Sequence, residues 1–588
     1  MLLFLKSSII LLFFCTIYTN SSPPEVQVRR EHSKQWYEHA TFYQVYPRSF
    51  KDTNGDGVGD LRGITSKLEY LSSIGINAIW LSPCFQSPMV DNGYDVSDFK
   101  AIHDEFGTMA DYEEMITVAN GLGIKIMLDF VPNHSSDKHE WFERSVRREA
   151  PYTDFYVWHN GRTDDDGNRI PPNNWVSVFG GPAWTFNEAR GQYYLHQFYP
   201  GQPDLNYRNN LVLEEMKDVL RFWLDRGAAG FRLDAINHMF EDPDLRDEPL
   251  SGWGEPGNYE YLEHHYTKDL LETYDVVREF RILVDNYAEQ HSTDAKILMT
   301  EAYANITFTM MFYEGDDGTK RAHMPFNFGL INGVSWYTHV RDVKRVIDEW
   351  LDYMPAGSAP NWVAGSHDHS RVASRLGPER VDLMNTVVLT LPGTSITYYG
   401  EEIGMRDFRD FQFWDSRDPN RTPMQWDDTV FSGFTNGTKT WLPVHPGYVT
   451  NNVWQQEKQQ GTHLKLYKQL TELRKQPTFI HGDFLLRILG DKVFGYMRYL
   501  SGEPTYVIVV NYHNLVEYVD LTVFASLSDE LEVVTAPIAS QHRTGDLIDI
   551  RNLTLGAYDA LILKASANLL SPAISLVLLV FVKLLIWW

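Results

Sequence analysis

The sequence predicts an α/β fold: a (β/α)8 TIM barrel with an inserted domain after its third strand and a C-terminal antiparallel β domain. Three observations carry this. Short apolar, β-rich runs alternate with amphipathic helical runs through eight units, the pattern of a closed parallel barrel. The segment 134–206 is rich in Pro, Gly and Trp and too long for a loop, so it reads as a small domain inserted between strands. After a helix at 464–475 the pattern turns to short alternating strands, which mark an antiparallel sheet.

Taken in order, the predicted barrel strands are 42–46, 78–81, 125–130, 230–234, 296–301, 324–328, 362–365 and 395–399. Helical runs such as 61–74, 212–226 and 343–353 lie between them, and the C-terminal region contains strands at 493–499, 506–511 and 516–521. The expected organisation is a first barrel part at 38–133, the inserted domain at 134–206, a second barrel part at 207–478 and the β domain at 479–565. At 588 residues the chain is long enough for such a barrel with satellites.

The two ends carry their own signals. Residues 1–22 hold one lysine, an apolar run at 9–14 and then small polar residues, followed by Pro23-Pro24, and read as a secretory signal peptide. With Cys15 inside it, only Cys84 remains, so no internal disulfide is expected. Residues 573–588 are apolar except for Ser575 and Lys583, and the run is shorter than the ~20 residues of a membrane span. Small residues, Ala565-Ser566-Ala567, precede it, so 566–588 matches a GPI-attachment signal; a retained tail anchor from Leu569 is the alternative. The expected location is therefore secreted, at the cell surface, GPI-anchored to the plasma membrane. Asn305, Asn436 and Asn552 are candidate glycosylation sites. A net charge of −26 argues against nucleic-acid binding and is compatible with a neutral, hydroxyl-rich substrate. Aromatic residues at 14% suit sugar-stacking platforms and large cores equally. Oligomeric state is left open, a homodimer included.

The chemistry lies at strand ends. Gly230-Phe231-Arg232-Leu233-Asp234 delivers a guanidinium and a carboxylate together at the end of a buried strand, where the cation favours the ionised, nucleophilic acid. Asp129-Phe130-Val131-Pro132-Asn133-His134 precedes it, and Met299-Thr300-Glu301 and Gly365-Ser366-His367-Asp368 follow. Strand C-termini of a TIM barrel face one mouth, so Asp234, Glu301 and Asp368 converge there. Three carboxylates in one small site are costly unless they work, and glycoside cleavage by a nucleophile and an acid/base ~5–5.5 Å apart is the work that fits.

This ordered set resembles the signature of glycoside hydrolase family 13, the α-amylase family, over roughly residues 38–565. Gln202-Pro203-Asp204-Leu205-Asn206 resembles its oligo-1,6-glucosidase and maltase branch, and the anchored chain is similar to insect (mosquito) midgut maltases. The resemblance implies that Asp234 is the nucleophile, that Glu301 is the acid/base, kept protonated by like-charge crowding, and that Asp368 binds and distorts the sugar. It implies substrate binding by Asp91, Tyr94, His134, Arg232, His367 and Arg421, with Asp91 on the terminal sugar's hydroxyls, Tyr94 stacked on its ring and Arg421 on the pocket wall. The implied activity is that of a retaining, exo-acting α-glucosidase (maltase) acting on terminal α-1,4-linked glucose of maltose, malto-oligosaccharides and sucrose. Ala235, where a valine accompanies α-1,6 cleavage in related enzymes, points to the α-1,4 linkage. A catalytically weak, membrane-anchored homologue serving as a cell-surface receptor, for example for a bacterial binary toxin, is the alternative, and a transglycosylating isomerase shares the same residues.

Asp52, Asn54, Asp56, the Val58 carbonyl and Asp60 place oxygens at alternate positions, which is calcium-loop spacing, although Gly63 stands where an EF-hand has its bidentate Glu. The family resemblance implies structural calcium here. Ser366 departs from the family's usual Asn and is expected to lose a hydrogen bond that positions the His367–Asp368 loop. His369 and Ser395 are further departures.

Overall fold

The computed structural model describes residues 35–565 except Trp414 and Ser526; the predicted signal peptide and the GPI-attachment signal lie outside the described residues. Its centre is eight parallel strands: β1 (Thr41–Val45), β2 (Ala78–Leu81), β3 (Lys125–Phe130), β4 (Gly230–Leu233), β5 (Ile297–Thr300), β6 (Met324–Pro325), β7 (Asn361–Val363) and β8 (Thr394–Tyr398). They neighbour one another in the order β6-β5-β4-β3-β2-β1-β8-β7. Helices outside and side chains inside bury both faces, so β2 and β4 are buried at every residue and read as continuous apolar runs.

All eight strands stand where the sequence predicts them, with ends shifted by at most two residues except in β6, which stops three residues short of 328. β6 is the shortest because Pro325 has no N–H to extend the ladder. Between β6 and β7 a side chain does the joining. Asn361, wholly buried, accepts from the Asn327 N–H through Oδ1 (2.9 Å) and donates through Nδ2 to the Pro325 carbonyl (2.7 Å).

The helix predicted at 212–226 spans Asn210–Leu224, started by the Asn209 side chain on the Leu211 N–H. Val340–Tyr353 buries Val343, Val346, Ile347, Trp350 and Leu351, a stripe at three- and four-residue spacing. The single helix expected at 61–74 is two, Leu61–Ser66 and Leu68–Ser73, broken at Lys67.

Between β3 and β4 the chain builds a small antiparallel sheet from Trp158–His159, Trp184–Asn187 and Gln192–Leu195, around Trp175, Trp184, Tyr193 and Leu195. It returns to the barrel mouth at Asp204, which forms a bridge with His134, and the Leu205 N–H donates to the Asn133 carbonyl at 3.0 Å.

The C-terminal sheet comprises β9 (Asp483–Ile488), β10 (Val493–Tyr499), β11 (Thr505–Asn511), β12 (Glu530–Thr535), β13 (Leu547–Asp549) and β14 (Ala560–Ala565), in the order β9-β10-β11-β14-β12-β13. Its two faces follow the period of two: Val507, Val509 and Leu563 face the domain's own core, while Ile508, Val510 and Ile562 join the barrel's core. The strand expected at 516–521 shrinks to Glu517–Val519 and pairs with Leu553–Leu555, apart from the main sheet.

Candidate active site

The barrel ladder itself fixes two of the acids. One residue beyond β4, the Asp234 N–H donates to the Phe130 carbonyl (2.9 Å); one residue beyond β5, the Glu301 N–H donates to the Leu233 carbonyl (2.8 Å). Arg232 on β4 holds the set together. Its Nη1 donates to Asp129 Oδ1 (2.9 Å) and to Asp234 Oδ1, and its Nη2 lies 3.8 Å from Glu301 Oε2. Asp129 also accepts from Trp80 Nε1 (3.0 Å) and the Tyr94 hydroxyl (3.2 Å). Ala235 adopts a left-handed conformation (φ 46°), which a non-glycine residue rarely holds, and its N–H donates to Glu301 Oε2 at 2.8 Å.

One guanidinium therefore faces three buried carboxylates, Asp129, Asp234 and Glu301. Burial pushes the Asp234 carboxyl well above the usual carboxylate range; Arg232 opposes the rise, and Glu301 and Asp129 add to it. Burial likewise raises Glu301, against Arg232 and the Ala235 N–H. Arg232 thus touches Asp234 as the sequence suggests, but its single charge does not outweigh burial among three acids.

Asp368, on the loop after β7, has a different setting. Burial works to raise it, but His367 beside it, Arg421 Nη2 at 3.0 Å and Arg417 Nη1 at 3.5 Å overcome this and hold it well below the usual range. Burial holds the His367 pKa well below its ordinary value against the pull of Asp368; its Nε2 lies 3.1 Å from Asp368 Oδ2 and 2.7 Å from the Tyr94 hydroxyl. Its Nδ1 faces Gln44 Nε2 at 2.8 Å, and its ring stacks on Tyr94 with 4° between planes.

Asp91 closes the same end. It accepts from Arg417 Nη2 (2.9 Å) and Gln202 Nε2 (3.2 Å), and Gln202 also reaches His134 Nε2 (3.0 Å). Burial lowers His134 to about 3, so it is neutral.

These groups surround a cavity of about 380 Å³. Of the predicted site residues, Asp91, Tyr94, His134, Asp234, Glu301, His367 and Asp368 line it, together with Ala235. Arg232 and Arg421 do not: they are 2% and 1% exposed and stand behind the acids they hold. The arginine on the wall is Arg417, which sequence reasoning missed although it lies four residues before Arg421. Gln202, in the stretch that resembles the maltase branch, and Asn420, next to Arg421, also position the site, a role that neither shows in the sequence. The loss expected from Ser366 is made up elsewhere. Asn420 Nδ2 donates to the His367 carbonyl (2.8 Å) and Arg421 Nε to the same oxygen (2.8 Å), while Ser366 Oγ itself accepts the Asp368 N–H (3.3 Å).

The 52–60 loop lies apart from the residues that line the cavity. Asp52 is wholly buried and accepts from the Gly55 and Gly57 N–H groups, one on each oxygen (2.7 and 2.8 Å). Asp60, 4% exposed, accepts from Thr53 and caps the following helix through the Gly63 N–H. Among the described residues neither forms an ion pair; each oxygen of Asp52 keeps a lone pair that fits a hard cation, whereas both oxygens of Asp60 are taken up by Thr53 and Gly63. The acids alone do not form a three-membered cluster, so Asn54 and the Val58 carbonyl would have to complete the set. Asn305, Asn436 and Asn552 are all exposed, and Asn305 also caps the helix Ile306–Met311.

The sequence pattern described as "Alpha amylase, catalytic domain" matches residues 44–482. The chain is 53% identical to "Alpha-glucosidase" of Culex pipiens, covering 92% of this chain and 93% of that one. It is 47% identical to "Maltase 1" of Drosophila virilis, covering 92% and 90%. The crystal structure of an alpha-glucosyl transfer enzyme, XgtA, superimposes with a TM-score of 0.79 at 33% identity, covering 91% of this chain and all of that one. A barrel that gathers three acids at its mouth, read with these likenesses, shows that the chain is a glycoside hydrolase and belongs to the α-amylase family.

Proposed function

We propose that the protein is a retaining, exo-acting α-glucosidase that releases the terminal non-reducing glucose of α-1,4-linked maltose and malto-oligosaccharides, and of sucrose. The observation that carries this is the Asp91–Arg417 pair beside Asp368. It walls the cavity that holds Asp234 and Glu301 with charged groups bonded to one another, which suits an enzyme that takes a chain end rather than a chain passing through. The names of the insect relatives support the same reading.

In this mechanism Asp234 attacks the anomeric carbon while Glu301 gives its proton to the departing glycosidic oxygen, forming a glycosyl ester on Asp234. Glu301 then takes a proton from water, whose oxygen attacks from the side the leaving group vacated, opposite the Asp234 ester, and restores the α configuration. The acids around Arg232 titrate as a set. Asp234 touches the guanidinium and Glu301 stands 3.8 Å from it, so the proton the set retains rests on Glu301. Asp368, held ionised by two arginines, binds ring hydroxyls.

An NMR time course tests this: α-glucose should appear first from maltose, and β-glucose appearing first would mean inversion. The assembled site favours a catalyst over a receptor on the same scaffold. We further propose that calcium bound at 52–60 stiffens the barrel mouth, so that chelation lowers the melting temperature and leaves turnover in the cold unchanged. The apolar tail supports a GPI anchor, which phosphatidylinositol-specific phospholipase C should release.

A further inference from the structure

The departure at Ser366 is matched by a second one three residues on, and the structure joins the two. Ser366 Oγ accepts the Asp368 N–H at 3.3 Å and lies 3.3 Å from His369 Nδ1. The hydroxyl also has its own proton to place, and His369 Nδ1 is the acceptor at hand. In that pairing Nδ1 accepts and Nε2 carries the hydrogen. The backbone supports the same turn, the His369 N–H reaching the Ser366 carbonyl at 3.4 Å.

His369 is half-buried and lines the cavity, its ring 5.8 Å from that of Tyr303. Tyr303 lies two residues past Glu301 and lines the cavity within electrostatic reach of Asp368 and Glu301, the acid that protonates the departing glycosidic oxygen. Nε2 has no protein partner among the described residues. Burial keeps the ring's pKa low, against the pull of Asp368, so Nε2–H is a neutral donor.

We propose that His369, oriented by Ser366, donates a hydrogen bond through Nε2 to the leaving half of the substrate and makes the enzyme favour a leaving group that is itself a sugar. The proposal rests on the glucosidase reading above. A hydroxyl oxygen of a departing glucose accepts this bond; a planar nitrophenolate offers no ring hydroxyl to it. Ser366 is a positioning residue that acts through His369, and an asparagine at 366 would bring an amide donor to the place where His369 now finds its proton.

The test compares two substrates with the same glucose and different leaving groups, maltose and p-nitrophenyl α-glucoside. His369→Ala should lower kcat/KM for maltose about tenfold, the worth of one neutral hydrogen bond, and leave the nitrophenyl substrate within about twofold. His369→Phe, which keeps a ring against Tyr303 but has no donor, should do the same if the alanine variant folds poorly. His369→Gln, which restores an N–H donor, should recover most of the loss on maltose. Ser366→Ala should show a smaller loss of the same kind. Equal losses on both substrates, or an unchanged ratio in the Ala and Phe variants, overturn the proposal while leaving the glucosidase reading in place. A wild-type protein that cleaves neither substrate overturns both.

Discussion

The two ends of the cavity are built on different plans. At the Asp91 end every polar side chain is bonded to another: Arg417 to Asp91, Asp368 and Asp415, His367 to Gln44 and Tyr94, Gln202 to Asp91 and His134. Asp91, His134, Gln202 and His367 there are buried, Arg417 and Asp368 are half-buried, and burial holds the two histidines below their ordinary pKa. At the other end Tyr303 is 38% exposed, Lys268 forms no ion pair among the described residues, and His369 has Ser366 as its side-chain anchor. One end is shaped before substrate arrives, which suits recognition of a single invariant sugar. The other offers donors and rings with slack, which suits leaving groups of varied length.

Substitutions should separate the two ends. The largest effect belongs to the boundary between them: Asp234→Asn should lower kcat roughly 1,000-fold or more on every substrate while the melting temperature holds, because the β4 ladder is unchanged. Full turnover in that variant would take the nucleophile's role from Asp234. Next is Arg417→Gln, which leaves Asp91 and Asp368 short of a cation. It should cost roughly 10–100-fold in kcat/KM, equally on maltose and on p-nitrophenyl α-glucoside. An effect confined to maltose would place Arg417 on the wrong side of the comparison.

Ala235→Val acts on the leaving side. Its γ-carbons narrow the space beside the leaving sugar, and the maltose-to-isomaltose ratio should fall roughly tenfold. Because Ala235 is left-handed, a β-branched residue there also strains the backbone, so the melting temperature should drop as well. An unchanged ratio with a lowered melting temperature would leave only the strain.

The smallest effect concerns Glu401, beneath the loop that carries Asp368. A Cβ on Gly365 would stand 2.2 Å from its Oε1, and burial raises the carboxyl to about 7 from an ordinary 4.5. The folded state holds this proton more tightly than the unfolded chain. Its contribution is therefore fully present below the unfolded value and is lost as pH rises through about 7, the reverse of ordinary acid denaturation. Glu401→Gln should flatten that part of the melting temperature's pH dependence, and an identical slope in the variant would remove Glu401 as its source.

Much of this was legible in the sequence because barrel strands announce themselves. Asp234, Glu301 and Asp368 each follow a short apolar run, and a parallel barrel sends all such ends to one mouth. Order along the chain, however, does not give depth. Arg232 and Arg421 belong to the same motifs as the acids yet sit behind them, while Arg417, in an irregular stretch with neither periodicity nor a strand to mark it, reaches the wall. The linkage of Ser366 with His369 was equally hidden. Each reads alone as a departure, and only the turn between them shows that they meet. Lys67, which breaks a predicted helix in two, carries no Gly or Pro to signal the break.

The amide of Asn361 gives the cylinder a mechanical character of its own. Elsewhere its wall is stitched main chain to main chain, and trimming a side chain leaves every stitch in place. Between β6 and β7 the closure is a rivet made by one side chain. Aspartate in its place keeps the acceptor and loses the donor; leucine loses both. The staves on either side then part along that line, and the stave that swings carries the Asp368 loop. Deuterium should enter the Asn327 amide sooner than the amides of Asp234 and Glu301, which lie in continuous ladder. A barrel riveted in this way yields first at a place that tilts one acid away from the other two.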